Sequence, residues 1–188
     1  MKENRNRVGI ALAVSLVLSF LCGFAIYHSM GFVYAIADDV IMRDIASGAF
    51  TGTPDGHLIF MQYALGWCIS RLYLVNPSVD WYGFFMAGVL FLGLSAVLYR
   101  GLAARKSLRW KAVYTGLALG ISGTGLVFHA AQFEWTISAA VLGSCALYLY
   151  VTEPSEAGKG QRLLEEGFLW LLLALTYCIR YDVFFMVM

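Results

Sequence analysis

The sequence predicts an all-α, polytopic membrane protein, and three observations carry that reading. Apolar residues make up 60% of the 188 positions and charged residues only 13%, against about half and about a quarter in soluble domains. The mean hydropathy is +0.71; so few charges cannot cover a water-facing surface of this size. Apolar runs near the length of a spanning helix, about 20 residues, recur along the chain with basic segments between several of them. The same composition excludes a disordered chain. A balance of 13 Lys+Arg against 12 Asp+Glu leaves no broad basic face, so no nucleic-acid partner is expected. The expected partner is the lipid bilayer.

Six runs are apolar enough to consider: 8–30, 57–75, 81–99, 112–131, 133–151 and 168–187. Lys2, Arg5 and Arg7 precede the first. Arg100, Arg105, Lys106, Arg109 and Lys111 lie between the third and fourth, and Lys159 and Arg162 between the fifth and sixth. If all six crossed, with the N-terminus inside, the last two basic groups would face outward, against the usual bias. If 57–75 does not cross, all three groups fall on the cytoplasmic side. Run 57–75 also carries His57, Gln62, Ser70 and Arg71, which suits a helix lying at the interface or re-entering. Five spans are therefore expected in one membrane domain over 1–188. The N-terminus is cytoplasmic, and a long first external loop, 31–80, carries two interfacial helices. The protein is placed in the plasma membrane.

Ala35-Ile36-Ala37 has the A-x-A form of a signal-peptidase site. The apolar stretch 8–26 is longer than a signal h-region of about 7–15 residues, so an uncleaved first span is expected. Gly116 and Gly120 form a small-xxx-small pair, followed by Gly123 and Gly125, read as helix packing. The scattered Cys22, Cys68, Cys145 and Cys178 form no CxxC pair and are read as small buried hydrophobes. Trp81, Tyr82 and Trp135 read as interfacial belt residues.

The chemistry is concentrated just after the first span. Asp38, Asp39, Asp44 and Asp55 fall within 18 residues. Read as a helix, Asp39 and Arg43 sit at i,i+4 and could pair, while Asp38 or Ala37 lies near the N-cap. Thr51-Gly52-Thr53-Pro54-Asp55-Gly56 reads as a turn, and His57 opens the second helix. Adjacent carboxylates repel, so one of them holds its proton more tightly than a free Asp. That suits a general base or a ligand for a divalent cation (Mg or Mn), with Asp39 the metal-ligand candidate; capping and pairing with Arg43 are the structural alternatives. Arg180 and Asp182 lie within the last span. Arg180 is roughly 18 Å in from residue 168 at 1.5 Å per residue, in the outer half, where a charge faces a cavity, contacts an anionic lipid phosphate or snorkels. At i,i+2 on a helix, Arg180 and Asp182 point in different directions, and no mutual ion pair is implied. His129, Gln132 and Glu134 sit in an outer hairpin and read as loop residues.

One span, acidic residues at its external end, two interfacial helices and a second span resemble the layout of the GT-C superfamily of membrane glycosyltransferases. The matching residues are Asp38-Asp39, then Ser47-Gly48-Ala49-Phe50 and Pro54-Asp55-Gly56-His57 with the apolar run to Tyr73, and Ile179-Arg180-Tyr181-Asp182 in a later helix. The resemblance implies transfer of a sugar, from a lipid-phosphate-linked donor such as a polyprenyl-phosphate sugar, to an envelope glycan or lipid acceptor at the outer face. It implies that Asp38 or Asp39 is the catalytic base or helps bind a metal, and that Arg180 is a phosphate contact; Arg43 and His57, on the same outer side, are read as substrate-binding residues from their position. Members usually have eight or more spans. The expectation is therefore that these 188 residues form the N-terminal part of a larger fold, whose remainder supplies further donor-binding residues. A non-catalytic membrane scaffold and a transporter or flippase-like component are the alternatives.

Overall fold

The computed structural model describes residues 2–31, 33–104, 106–121, 132–152 and 158–187. The described chain is helical almost throughout, in keeping with the all-α expectation. Its elements are α1 (Lys2–Met30), β1 (Val33–Tyr34), α2 (Ala37–Ser47), α3 (Tyr63–Val75), α4 (Trp81–Ala103), α5 (Leu108–Ile121), β2 (Gln132–Phe133), α6 (Trp135–Val151), α7 (Lys159–Ile179) and α8 (Tyr181–Val187). Among the described residues two helices are long and apolar enough to cross a membrane, Arg7–Ser29 and Trp81–Ala103; Trp135–Val151 is a shorter apolar helix.

Helix α4 is the centre. It packs along α1 on one side and α6 on the other, and α6 in turn packs on α7 and α8. Small residues set the close approaches, as expected where apolar helices meet. A Cβ at Gly23 of α1 would strike the Phe91 ring of α4 at 2.3 Å, one at Gly93 would meet Cys145 Sγ at 3.2 Å, and one at Gly143 would meet Val187 and Thr176 within 3.3 Å. A Cβ at Gly116 or Gly120 meets no described atom within 4 Å. Among the described residues, helix α5 packs chiefly on α4. Gly123, Gly125 and His129 lie outside the described residues.

Helix α4 begins at a well-built cap. The Asp80 carboxylate accepts from the Gly83 amide at 3.0 Å and from the Tyr73 hydroxyl at 3.0 Å, and the Tyr34 hydroxyl donates to its other oxygen. Such a cap satisfies a backbone donor that the first turn leaves unpaired. At the far end, Arg100 is not a loop cation: it lies in α4, buried, and donates to Glu165 of α7 at 2.8 Å. A two-residue parallel ladder, Val33 with Gln132 and Tyr34 with Phe133, ties the exit of α1 to the entry of α6.

The 31–80 segment follows the expected order, with shifted boundaries. Helix α2 ends at Gly48, whose φ of 84° is the left-handed cap conformation that glycine tolerates. The turn through Gly52 follows. Helix α3 begins at Tyr63, not at His57. Residues 57–62 instead cross flat over α3. A Cβ at Gly66 would sit 2.2 Å from the Gly56 carbonyl oxygen, and one at Gly56 would sit 2.7 Å from the Trp67 backbone. Leu58 and Met61 are buried beneath this crossing.

The run expected at 168–187 is a helix that starts earlier, at Lys159, and breaks at Arg180. Arg180 has extended backbone angles, φ −157° and ψ 104°, before α8 resumes at Tyr181. The break frees the Cys178 carbonyl from its helical partner four residues on. The Gln62 amide fills the vacancy, donating to Cys178 O at 2.8 Å. Of the cysteines, Cys145 is buried, Cys22 and Cys178 are half-buried, and Cys68 is exposed on α3. Cys68 thus departs from the buried expectation because it lies on the outer face of α3, away from Ile69 and Tyr73.

Candidate functional site

The helical phase of α2 decides which aspartate is inside. Asp39, Met42 and Ala46 recur at i, i+3 and i+7, one face of a helix, and all three are 0% exposed. Ile45 joins them. Asp38, one residue earlier, is only half-buried and makes no hydrogen bond or ion pair with a described residue. The N-cap position of α2 is Ile36, with no side-chain cap, so Asp38 does not cap the helix. It lies in the first turn, where a negative charge is favoured by the helix dipole.

Asp39 meets Tyr82 from the first turn of α4. The Tyr82 hydroxyl donates to Asp39 Oδ1 at 2.7 Å. Oδ2 is buried with no hydrogen-bond partner among the described residues. Burial pushes the Asp39 carboxyl up from 3.8 to about 6. The Tyr82 hydroxyl pulls it down, Glu134 raises it, the Trp135 amide lowers it, and Asp38 adds a last, small push. The raised proton affinity expected from neighbouring aspartates is therefore present, but its main cause is desolvation, not the adjacency of Asp38.

Three consecutive residues at the start of α6 organise the other side. Glu134 lies close enough for its charge to bear on Asp39. Trp135 is 4% exposed, stacked on Phe60 with ring centroids 4.4 Å apart, and the Arg180 guanidinium lies 4.1 Å from its ring centroid. At these distances Phe60 and Arg180 cannot share one face, so both faces of the indole are covered. Thr136 accepts from Arg180 Nη1. Trp135 and Tyr82 are thus core residues, not members of an interfacial belt.

Arg180 does pair with Asp182, contrary to the expectation from a continuous helix. Nε donates to Asp182 Oδ1 at 2.7 Å and Oδ2 at 3.0 Å. The break at Arg180 removes the helical angle between the two side chains and lets them meet. Nη2 makes no hydrogen bond to a described residue, and the side chain keeps 28% of its exposure. The guanidinium is therefore fixed by a carboxylate, a hydroxyl and an aromatic face, with one donor edge left over.

Arg43 and His57 stand apart from this cluster. Arg43 donates to Asp44 Oδ1 through Nε at 2.9 Å and Nη2 at 2.6 Å and lies 5.4 Å from the Tyr34 ring centroid. The i,i+4 pair with Asp39 does not form, because Asp39 is turned into the core and Arg43 to its rim. His57 is exposed. Its Nδ1 is 2.7 Å from Asp55 Oδ1, and its ring is 4.6 Å from that of Tyr63. The His57 amide and ring together hold the Asp55 carboxyl below its usual range. No contact joins His57 to Asp39, Glu134 or Arg180 among the described residues.

The structure thus brings together Asp39, Glu134 and Arg180 around Trp135, and leaves Arg43 and His57 to local pairs. Tyr82, Trp135 and Thr136 are contributors that the sequence reading missed, and Glu134 one it discounted. The register of Asp39 with Met42 and Ala46 was a usable signal for the buried carboxyl; nothing local announces Tyr82. Among the described residues no three of His, Cys, Asp and Glu converge. A magnesium-type cation takes one or two protein carboxylates together with waters and substrate phosphates, a number that Asp39 and Glu134 supply. The chain matches no protein-family model, no curated protein and no solved structure.

Proposed function

We propose that the protein is a membrane glycosyltransferase, or the N-terminal module of one, that transfers a sugar from a lipid-phosphate-linked donor to a glycan or lipid acceptor at the outer face of the plasma membrane. In this reading five segments cross, the N-terminus is cytoplasmic, and the 31–80 segment with Asp39 lies outside. The observation that carries the reading is the Asp39 carboxyl: one oxygen is held by Tyr82 and the other makes no hydrogen bond among the described residues, while Arg180 lies on the ring of Trp135, whose amide bears on Asp39. Asp39 is the base and Asp38 is not. A carboxyl poised near 6 is ionised at neutral pH yet takes a proton more readily than a free Asp.

The step balances on these groups. The acceptor hydroxyl gives its proton to Asp39 Oδ2 as its oxygen bonds to the sugar anomeric carbon. The bond from that carbon to the phosphate oxygen breaks, and the electron pair leaves with the lipid phosphate. Arg180 Nη2 offers a charge-assisted hydrogen bond to that phosphate. Asp39 is fully buried in the structure described, so a covering side chain must give way when the acceptor enters.

Transfer of radiolabelled sugar from lipid-phosphate donors, in membranes containing the complete protein, tests this. Asp39→Asn is expected to abolish transfer at unchanged protein abundance, and Asp38→Asn to reduce it only modestly. Full transfer by Asp39→Asn would overturn the assignment. Thiol labelling of Gly52→Cys from outside and Ser107→Cys from inside checks the orientation. A scaffold is the second reading, and the complete burial of Asp39 favours it: a Tyr82–Asp39 bond would then serve packing alone. In that case Asp39→Asn lowers abundance, and no transfer is found in any variant.

A further inference from the structure

We propose that Tyr82 is a positioning residue: its phenol fixes the plane of the Asp39 carboxyl and so aims Oδ2 at the acceptor. The proposal rests on the glycosyltransferase reading for its consequence, but on geometry for its cause. Tyr82 is 0% exposed and is the second residue of α4. Its backbone amide donates to the Tyr73 hydroxyl at 3.0 Å. That hydroxyl donates to the Asp80 carboxylate, which also caps the helix and receives the Tyr34 hydroxyl. Burial and Asp80 push both tyrosine hydroxyls up, which keeps them donors at any physiological pH. The start of α4 is thereby tied to α3 and to β1, and the Tyr82 ring is braced by Tyr34, with centroids 5.8 Å apart.

A clamped phenol can hold only one orientation of its acceptor. A bond serving burial alone has no need of this bracing, and a purely structural carboxyl would be expected to satisfy both oxygens. Here one is held by Tyr82 and the other makes no hydrogen bond among the described residues, although the Trp135 amide bears on the carboxyl. Holding Oδ1 at 2.7 Å removes the freedom of the carboxyl to turn about its terminal torsion, which is otherwise broad for Asp. Orientation of this kind is where a small misplacement costs a large factor in rate.

Tyr82→Phe in the complete protein removes the hydroxyl and keeps the ring. The expected result is a fall in kcat of roughly tenfold to hundredfold, with the KM for the lipid-phosphate donor unchanged. In the Asp39→Asn background the same change is expected to have no further effect. The Asp39 carboxyl bands, isolated by comparing infrared spectra of isotope-labelled wild-type and Asp39→Asn protein, are expected to shift in Tyr82→Phe as the donated hydrogen bond is lost. If Tyr82→Phe does not fold, 3-fluorotyrosine at position 82 keeps the shape, makes the phenol a stronger donor and is expected to shift the bands the opposite way. Unmoved bands, or a rise in KM at constant kcat, overturn the proposal. Shifted bands with no sugar transfer by the wild type leave the positioning intact and remove the glycosyltransferase reading instead.

Discussion

Glu165 offers the sharpest test of how the helices are held. It is 6% exposed and accepts three hydrogen bonds: from Arg100 Nη1 at 2.8 Å, from the Tyr99 hydroxyl at 3.0 Å and from Gln161 Nε2 at 2.9 Å. Arg100, 8% exposed, donates its other terminal nitrogen to the Leu149 carbonyl at 2.6 Å. The pair therefore joins α4, α6 and α7 where water does not reach. Glu165→Leu leaves a buried guanidinium with one carbonyl for company, and Arg100→Met leaves a buried carboxylate with two neutral donors. Each is expected to cost about 3–5 kcal/mol, the penalty of an uncompensated buried charge. The double variant removes both charges and is expected to return to within about 1 kcal/mol of the wild type, since apolar replacement of a buried pair is close to neutral. Reversible unfolding in mixed micelles, read by tryptophan fluorescence, measures all four corners of the cycle. Additive losses, or single-variant costs below about 1 kcal/mol, would refute the claim that this pair is desolvated and coupled.

Three further outcomes follow. The folded-state value of Asp39 lies above its free value of 3.8, at about 6, so the native state binds the extra proton between those limits. The stability contribution is full below 3.8 and is lost as pH rises through 6, a fall of about 3 kcal/mol; Asp39→Asn should flatten that part of a stability–pH curve, and an unchanged slope would count against the buried carboxyl. Gly66→Ala would place a Cβ 2.2 Å from the Gly56 carbonyl oxygen and is expected to cost about 1–3 kcal/mol by forcing the backbone crossing apart. Gly88→Ala, with no described atom within 4 Å, is expected to be neutral or to stabilise α4 by about 0.5–1 kcal/mol; thermal unfolding in detergent distinguishes the two glycine variants.

Much of the fold was legible where the signal is local. The α4 run, the glycine-and-proline turn at 51–56 and the acidic start of α2 all follow from composition and spacing over a few residues. The misplacements came where a distant contact overrode a local preference. His57 fails to open a helix because its segment lies flat on Gly66. The run to residue 187 is broken at Arg180, which has neither proline nor glycine beside it. There the guanidinium is drawn onto Trp135 and Thr136, and Gln62 takes the freed Cys178 carbonyl. An i,i+2 ion pair that a continuous helix forbids then becomes possible.

The amino-acid sequence by itself determined that the chain is helical and apolar, and that its acids gather after the first long helix. Those properties depend on the residues' own preferences for lipid or water and on helical periodicity. Only the tertiary structure decided that Asp39 and not Asp38 is enclosed by partners, that Tyr82 holds it, that Arg180 is fixed over Trp135, and that Arg100 finds Glu165. Each of these joins residues distant in the sequence, up to 65 positions apart. Such a pairing has no local signature, because its energy comes from removing two specific groups from solvent together.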